Sequence, residues 1–237
     1  MSHQYVYIFF CILIFVIWWC IYMILYNRRQ TSQRQTMWRY SLFGACLWPI
    51  AELRYLRDYR NHPSLMWHGI ISVEDFLFGF AITGISAICY DLYTTSYRQV
   101  SYIPHPKILY MICLWSVVAM IVWVNILSIN SIFISSGIFF VSMCIILIIR
   151  PDLLYRAMIS MILILVLIMP LYIILFERIT IWYRQSYRLM YQTKRGLLLF
   201  GSIPWTEFLR YTTWAWFVSV VYQFKHWIGD IYTKTSS

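Results

Sequence analysis

The chain has 237 residues, of which 61% are hydrophobic and only 12% charged, against roughly 25% charged in a soluble domain. So little polar surface cannot enclose a core in water, which excludes an ordinary water-soluble globule. The net charge of +10 does not point to nucleic acid. The Lys and Arg fall in the connections, at Arg28, Arg29 and Arg34, at Arg54, Arg57 and Arg60, and from Arg178 to Arg195. There they anchor to headgroups and attract anionic lipid.

A helix needs about 20 apolar residues to cross the hydrocarbon core. The first such run is 5–26. It is too long for a signal-peptide core and has neither a basic leader nor a small-residue cleavage site, so it reads as a helix of the mature protein. A short run over 37–50 ends at Pro49, and a full-length run follows at 71–93. Runs at 108–129 and 132–149 are joined by so short a link that they must form an antiparallel pair, and 153–175 follows. The last run, 197–224, carries Glu207 and Arg210 inside it. These spans predict an all-α, polytopic membrane helix bundle of about seven transmembrane helices. The bundle forms one membrane domain over 1–237, multi-pass in the cell membrane. The Lys and Arg of the two sets of connections are equal in number, so the positive-inside rule leaves the orientation open.

The six cysteines lie singly in or beside apolar runs, and no cysteine, histidine or carboxylate spacing matches a metal or nucleotide motif. No metal and no cofactor are expected. Gly79, Thr83 and Ala87 form a small-residue stripe, as a close helix–helix contact requires.

The nine Asp and Glu carry the functional signal, because an ionisable side chain inside a spanning helix is costly and marks a site. Ser72-Val73-Glu74-Asp75-Phe76-Leu77 aligns with Pro204-Trp205-Thr206-Glu207-Phe208-Leu209, an offset of 132 residues between Asp75 and Glu207. At the same offset Tyr90-Asp91 meets Tyr222-Gln223. The copies predict two parallel repeats, about 1–95 and 130–225, with Glu74, Asp75 and Glu207 at similar depth near one membrane face. Glu52 and Asp58 alternate with Arg and Tyr over 49–59, a pattern that local ion pairing also explains. Asp91, at the far end of its span, reads as interfacial.

At these residues the chain resembles the lycopene cyclase domain family, the membrane-integral type found as paired subunits and in fungal fusions. The resemblance rests on Ile71 to Phe80 closing at Cys89-Tyr90-Asp91, and on Leu199 to Leu209 closing at Tyr222. The stretch from Pro49 to Tyr59 adds to it, so that about half the chain is covered. The family pattern is Pro-x-Glu-Glu/Asp-Phe-Leu with Tyr-Glu about fifteen residues on, in two copies. Here Ser72 stands for the first proline, Thr206 for the first acid of the second copy, Gln223 for its closing acid and Arg210 for an apolar residue.

The resemblance implies a carotenoid-biosynthesis enzyme, an intramolecular lyase or isomerase that closes a ring on a linear polyene. The apolar polyene and membrane lipid are its partners, nucleic acid is not, and homo-oligomer assembly is left open. Glu74 and Asp75 are then the principal acid–base pair, with Glu207 assisting. Glu52, Asp58, Phe78, Tyr90, Asp91, Trp205, Thr206, Arg210 and Tyr222 support or position the substrate. The departures in the second copy predict one asymmetric site. Two other classes fit the same residues. One is a related isoprenoid hydratase or a cyclase of a prenylated substrate. The other is a non-enzymatic carotenoid-binding or transport protein.

Overall fold

The computed structural model describes residues 3–58, 72–94, 106–126, 131–178, 198–199 and 203–226. The architecture is helical: α1 His3–Asn27, α2 Thr31–Asp58, α3 Val73–Thr94, α4 Pro106–Ile126, α5 Ser131–Ile149, α6 Leu154–Tyr172 and α7 Trp205–His226. A 3-10 turn, Pro151–Leu153, leads into α6, and a π-helical turn, Ile173–Arg178, follows it. A two-residue antiparallel ladder, Leu198–Leu199 with Ile203–Pro204, precedes α7. Helix α7 therefore starts at Trp205, eight residues later than the apolar run beginning at 197 suggests. The sequence reading also stops α2 at Pro49. The structure corrects this, since α2 continues to Asp58 with Pro49 inside it. One missing backbone donor is tolerated where neighbouring helices enclose the turn, and Trp48 beside it is 4% exposed.

Among the described residues, four segments are long and apolar enough to cross a membrane: Tyr7–Asn27, Val73–Tyr93, Ser131–Ile149 and Pro151–Leu175. Helix α7 falls short because it is enclosed by protein rather than by lipid. Almost every described residue from Thr206 to Phe224 is buried or nearly so, including Glu207, Arg210 and Gln223. The outward faces are apolar, with Leu114, Ile148, Tyr155 and Val166 among the most exposed side chains. Charged groups inside and apolar groups outside invert the pattern of a soluble protein. The chain is consistent with a membrane protein.

Neighbouring contacts fix the helix directions. Tyr7 meets Asp75 and Phe10 meets Phe78, so α1 and α3 run parallel. Trp48 abuts Gly79 while Ser41 abuts Gly84, so α2 runs against α3. The α1–α2 reversal turns on Arg29, held at φ 55°. Phe133 meets Trp205 and Phe139 meets Phe217, which makes α5 parallel to α7. The Arg156 guanidinium lies over Tyr90 at 5.5 Å, and Tyr172 lies edge-on to Tyr211 at 6.5 Å, so α6 opposes both α3 and α7.

The contact that organises the bundle is α3 against α7. The Trp214 indole donates to Thr83 at 3.2 Å, and the Tyr222 hydroxyl donates to Asp91. Both pairs are 131 residues apart. A constant separation means that the two helices run parallel. The most extensive packing is α2 on α3, where the small-residue stripe meets its partner. A Cβ on Gly79 would lie 2.6 Å from the Gly44 carbonyl oxygen, so the backbones approach too closely for any side chain.

Candidate functional site

Helix α3 opens on a serine cap. The Asp75 amide donates to Ser72 Oγ at 3.2 Å, and the Ser72 hydroxyl donates in return to Asp75 Oδ2. This is a capping arrangement across three residues. The other oxygen, Asp75 Oδ1, accepts from the Tyr7 hydroxyl of α1 at 2.7 Å. Asp75 is thus fixed between two hydroxyls, 5% exposed, at a helix N-terminus whose dipole favours a negative charge.

Deeper in the bundle, Phe78 touches Trp48 of α2 at 4.8 Å and Tyr211 of α7 at 5.8 Å. Trp48 also meets Trp214 at 5.5 Å. These four rings make an aromatic layer where α2, α3 and α7 converge. Glu52 follows Trp48 by one helical turn, Glu74 precedes Phe78 by one, and Glu207 and Arg210 precede Tyr211 and Trp214 by one. Residues four apart share a helix face and differ in height by about 6 Å. The three glutamates therefore lie below the rings, on the side of the α3 and α7 N-termini, and Arg210 joins them from the level of its neighbour Tyr211. All are buried: Glu52 3%, Glu74 1%, Glu207 0%, Arg210 3% exposed.

Arg210 organises this layer. Its Nη1 lies 3.6 Å from Glu52 Oε2 and 3.8 Å from Glu207 Oε1. Its guanidinium sits 4.6 Å from the Trp48 ring centroid and 5.4 Å from that of Tyr211. Two carboxylates from different helices thus share one cation that is stacked on the aromatic layer. The Glu52 carboxylate of α2 faces Arg210 of α7 across the bundle.

Thr206 is buried at 4% and Trp205 packs on Phe133 at 5.3 Å. Tyr90, Asp91 and Tyr222 lie apart from the acid layer, at the other end of α3 and α7. Asp91 is 3% exposed and accepts from the Tyr222 hydroxyl. Gln223 is beside it in sequence and fully buried. The side chain of Asp58 lies outside the described ones. Among the described residues, no three His, Cys, Asp or Glu side chains are placed to hold a metal ion.

The sequence reading missed Tyr7 and Trp48. Tyr7 was legible in principle, since Tyr7, Phe10, Ile14 and Trp18 repeat at helical spacing and all are buried. That stripe marks the inward face of α1. Comparison with protein-family models, curated proteins and solved structures finds no match.

Proposed function

We propose that the chain is a membrane-embedded cyclase of the lycopene cyclase type, closing a ring on a linear polyene taken from the bilayer. The observation that carries this reading is the set of buried carboxylates Glu52, Glu74 and Glu207, with Arg210, beside the rings of Trp48, Phe78, Tyr211 and Trp214. A neutral carboxylic acid transfers its proton to a terminal double bond, breaking O–H and forming C–H. The neighbouring alkene supplies the electron pair for the new C–C bond. The ring cation then loses a proton to a carboxylate, so that the net change is an isomerisation. Aromatic faces stabilise the passing cation without trapping it as a nucleophile would. Glu74 and Asp75 are the principal acid and base in this proposal, and Glu207 assists.

All seven helices cross the membrane in this reading, supported by their regular alternation of direction. Two parallel repeats are supported by the constant 131-residue register between α3 and α7. An ion-transport role is disfavoured because Glu52, Glu74, Asp75 and Glu207 cluster at one end of the bundle instead of along its depth.

The test is expression in a host that accumulates lycopene, with chromatographic pigment analysis. A cyclic product is expected, lost in Glu74→Gln and in Glu207→Gln at matched protein levels. Unchanged linear pigment, or normal product from both variants, would overturn the proposal.

A further inference from the structure

Both carboxyl oxygens of Asp75 are engaged by hydroxyl groups, one from the cap of its own helix and one from α1. The Ser72 hydroxyl meets Oδ2, and the Tyr7 hydroxyl meets Oδ1 at 2.7 Å. All three side chains are buried. The direction of the first bond is set by a third group. Ser72 Oγ already accepts from the Asp75 amide at 3.2 Å, and among the described residues its side chain makes no other hydrogen bond. If Asp75 kept a proton on Oδ2 and donated it to Ser72, the serine hydrogen would be left without an acceptor in a buried place, which is unfavourable. The carboxylate lets both hydroxyls donate at once, and the positive end of the α3 dipole favours the same charge.

The aligned acid of α7 is held by a different device. Pro204 stands where Ser72 does and has no hydroxyl, and Glu207 faces the Arg210 guanidinium at 3.8 Å instead. The hydroxyl clamp therefore belongs to the first copy of the motif.

We propose that Asp75 rests as a carboxylate clamped by Tyr7 and Ser72, which makes it the proton acceptor of the site, and that Tyr7 is a positioning residue contributed by α1. The acceptor role rests on the ring-closure reading. A group that rests without a proton cannot start that reaction, so the first proton comes from Glu74, whose O–H breaks as the new C–H forms. A carbocation is a far stronger acid than a carboxyl group, so a carboxylate steadied by two donors still takes its proton. That step breaks a C–H bond of the ring cation, forms O–H on Asp75 and leaves the electron pair in the ring alkene. The proton then returns from Asp75 to Glu74, and nothing is consumed.

The experiment uses the full chain in detergent at neutral pH, with isotopically labelled aspartate carboxyls, and reads infrared difference spectra against single variants. Asp75→Asn should remove a band from the carboxylate region and none from the carboxylic acid C=O region. Tyr7→Phe keeps the ring and drops the hydroxyl, and it should shift that carboxylate band. Tyr222→Phe should shift the Asp91 band instead, since its hydroxyl donates there. Loss of a carboxylic acid band in Asp75→Asn would overturn the proposal, as would an unmoved Asp75 band in Tyr7→Phe. With lycopene as substrate, Tyr7→Phe should lower kcat about tenfold and leave KM unchanged. A rise in KM alone would overturn the positioning role. The expected bands with no cyclic product would remove the ring-closure reading and leave the clamped carboxylate standing. Cyclic product with a carboxylic acid band at Asp75 would do the reverse.

Discussion

Replacing Arg210 by methionine removes a cation that Glu52 and Glu207 share. At 3.6 and 3.8 Å, each pair is worth roughly 4–5 kcal/mol at an effective dielectric constant of about 20. Much of this attraction offsets the cost of burying three charges, so the sum overstates the net effect. Losing one member of a buried pair costs about 3–5 kcal/mol, because the remaining charge stays desolvated. Arg210→Met should therefore lower stability by about that amount. Methionine keeps an unbranched apolar stem of similar reach without the charge. The triple variant Arg210→Met, Glu52→Gln, Glu207→Gln should recover most of the loss, since it removes the charges together. Reversible unfolding in mixed micelles, followed by tryptophan fluorescence, measures both. If Arg210→Met left stability unchanged, or if the three substitutions were additive within about 0.5 kcal/mol, the shared-cation arrangement would be refuted.

Gly79→Leu should destabilise by about 1–3 kcal/mol or more, because its side chain would enter the Gly44 backbone. Gly137→Ala, where an added Cβ meets nothing within 4 Å, is the control in the same unfolding assay. In a cysteine-free background, single cysteines in 59–70 and in 179–196 should label from one side of the membrane, and those in 28–30 and 95–105 from the other. Labelling of 59–70 and 179–196 from opposite sides would exclude parallel repeats. Asp75→Asn should reduce ring formation more than any substitution at Thr206 at equal abundance, since asparagine keeps the shape of the carboxyl group but has no proton to transfer. Equal damage from Thr206→Ala would show that the site is not asymmetric.

Composition and the spacing of apolar runs were enough to read a helical membrane chain and the approximate place of each helix. Burial of backbone polar groups in hydrocarbon leaves a chain of this composition few alternatives to helices. The repeated acid motif likewise put Glu74, Asp75 and Glu207 at one end, because depth in a spanning helix follows from position along it. Lateral neighbours do not follow from position. That Asp75 turns to Tyr7 of α1, that Glu52 reaches Arg210 of α7, and that Pro49 leaves α2 unbroken all depend on which helix faces which. Arg210 illustrates the difference. In the sequence it is a charge intruding on an apolar motif, and only the packing of α2 against α3 and α7 turns it into the cation between two glutamates and an aromatic layer. The approach of α2 and α3 at Gly44 and Gly79 decides that packing, since it brings Trp48 onto Phe78 and carries Glu52 into the same layer as Glu207.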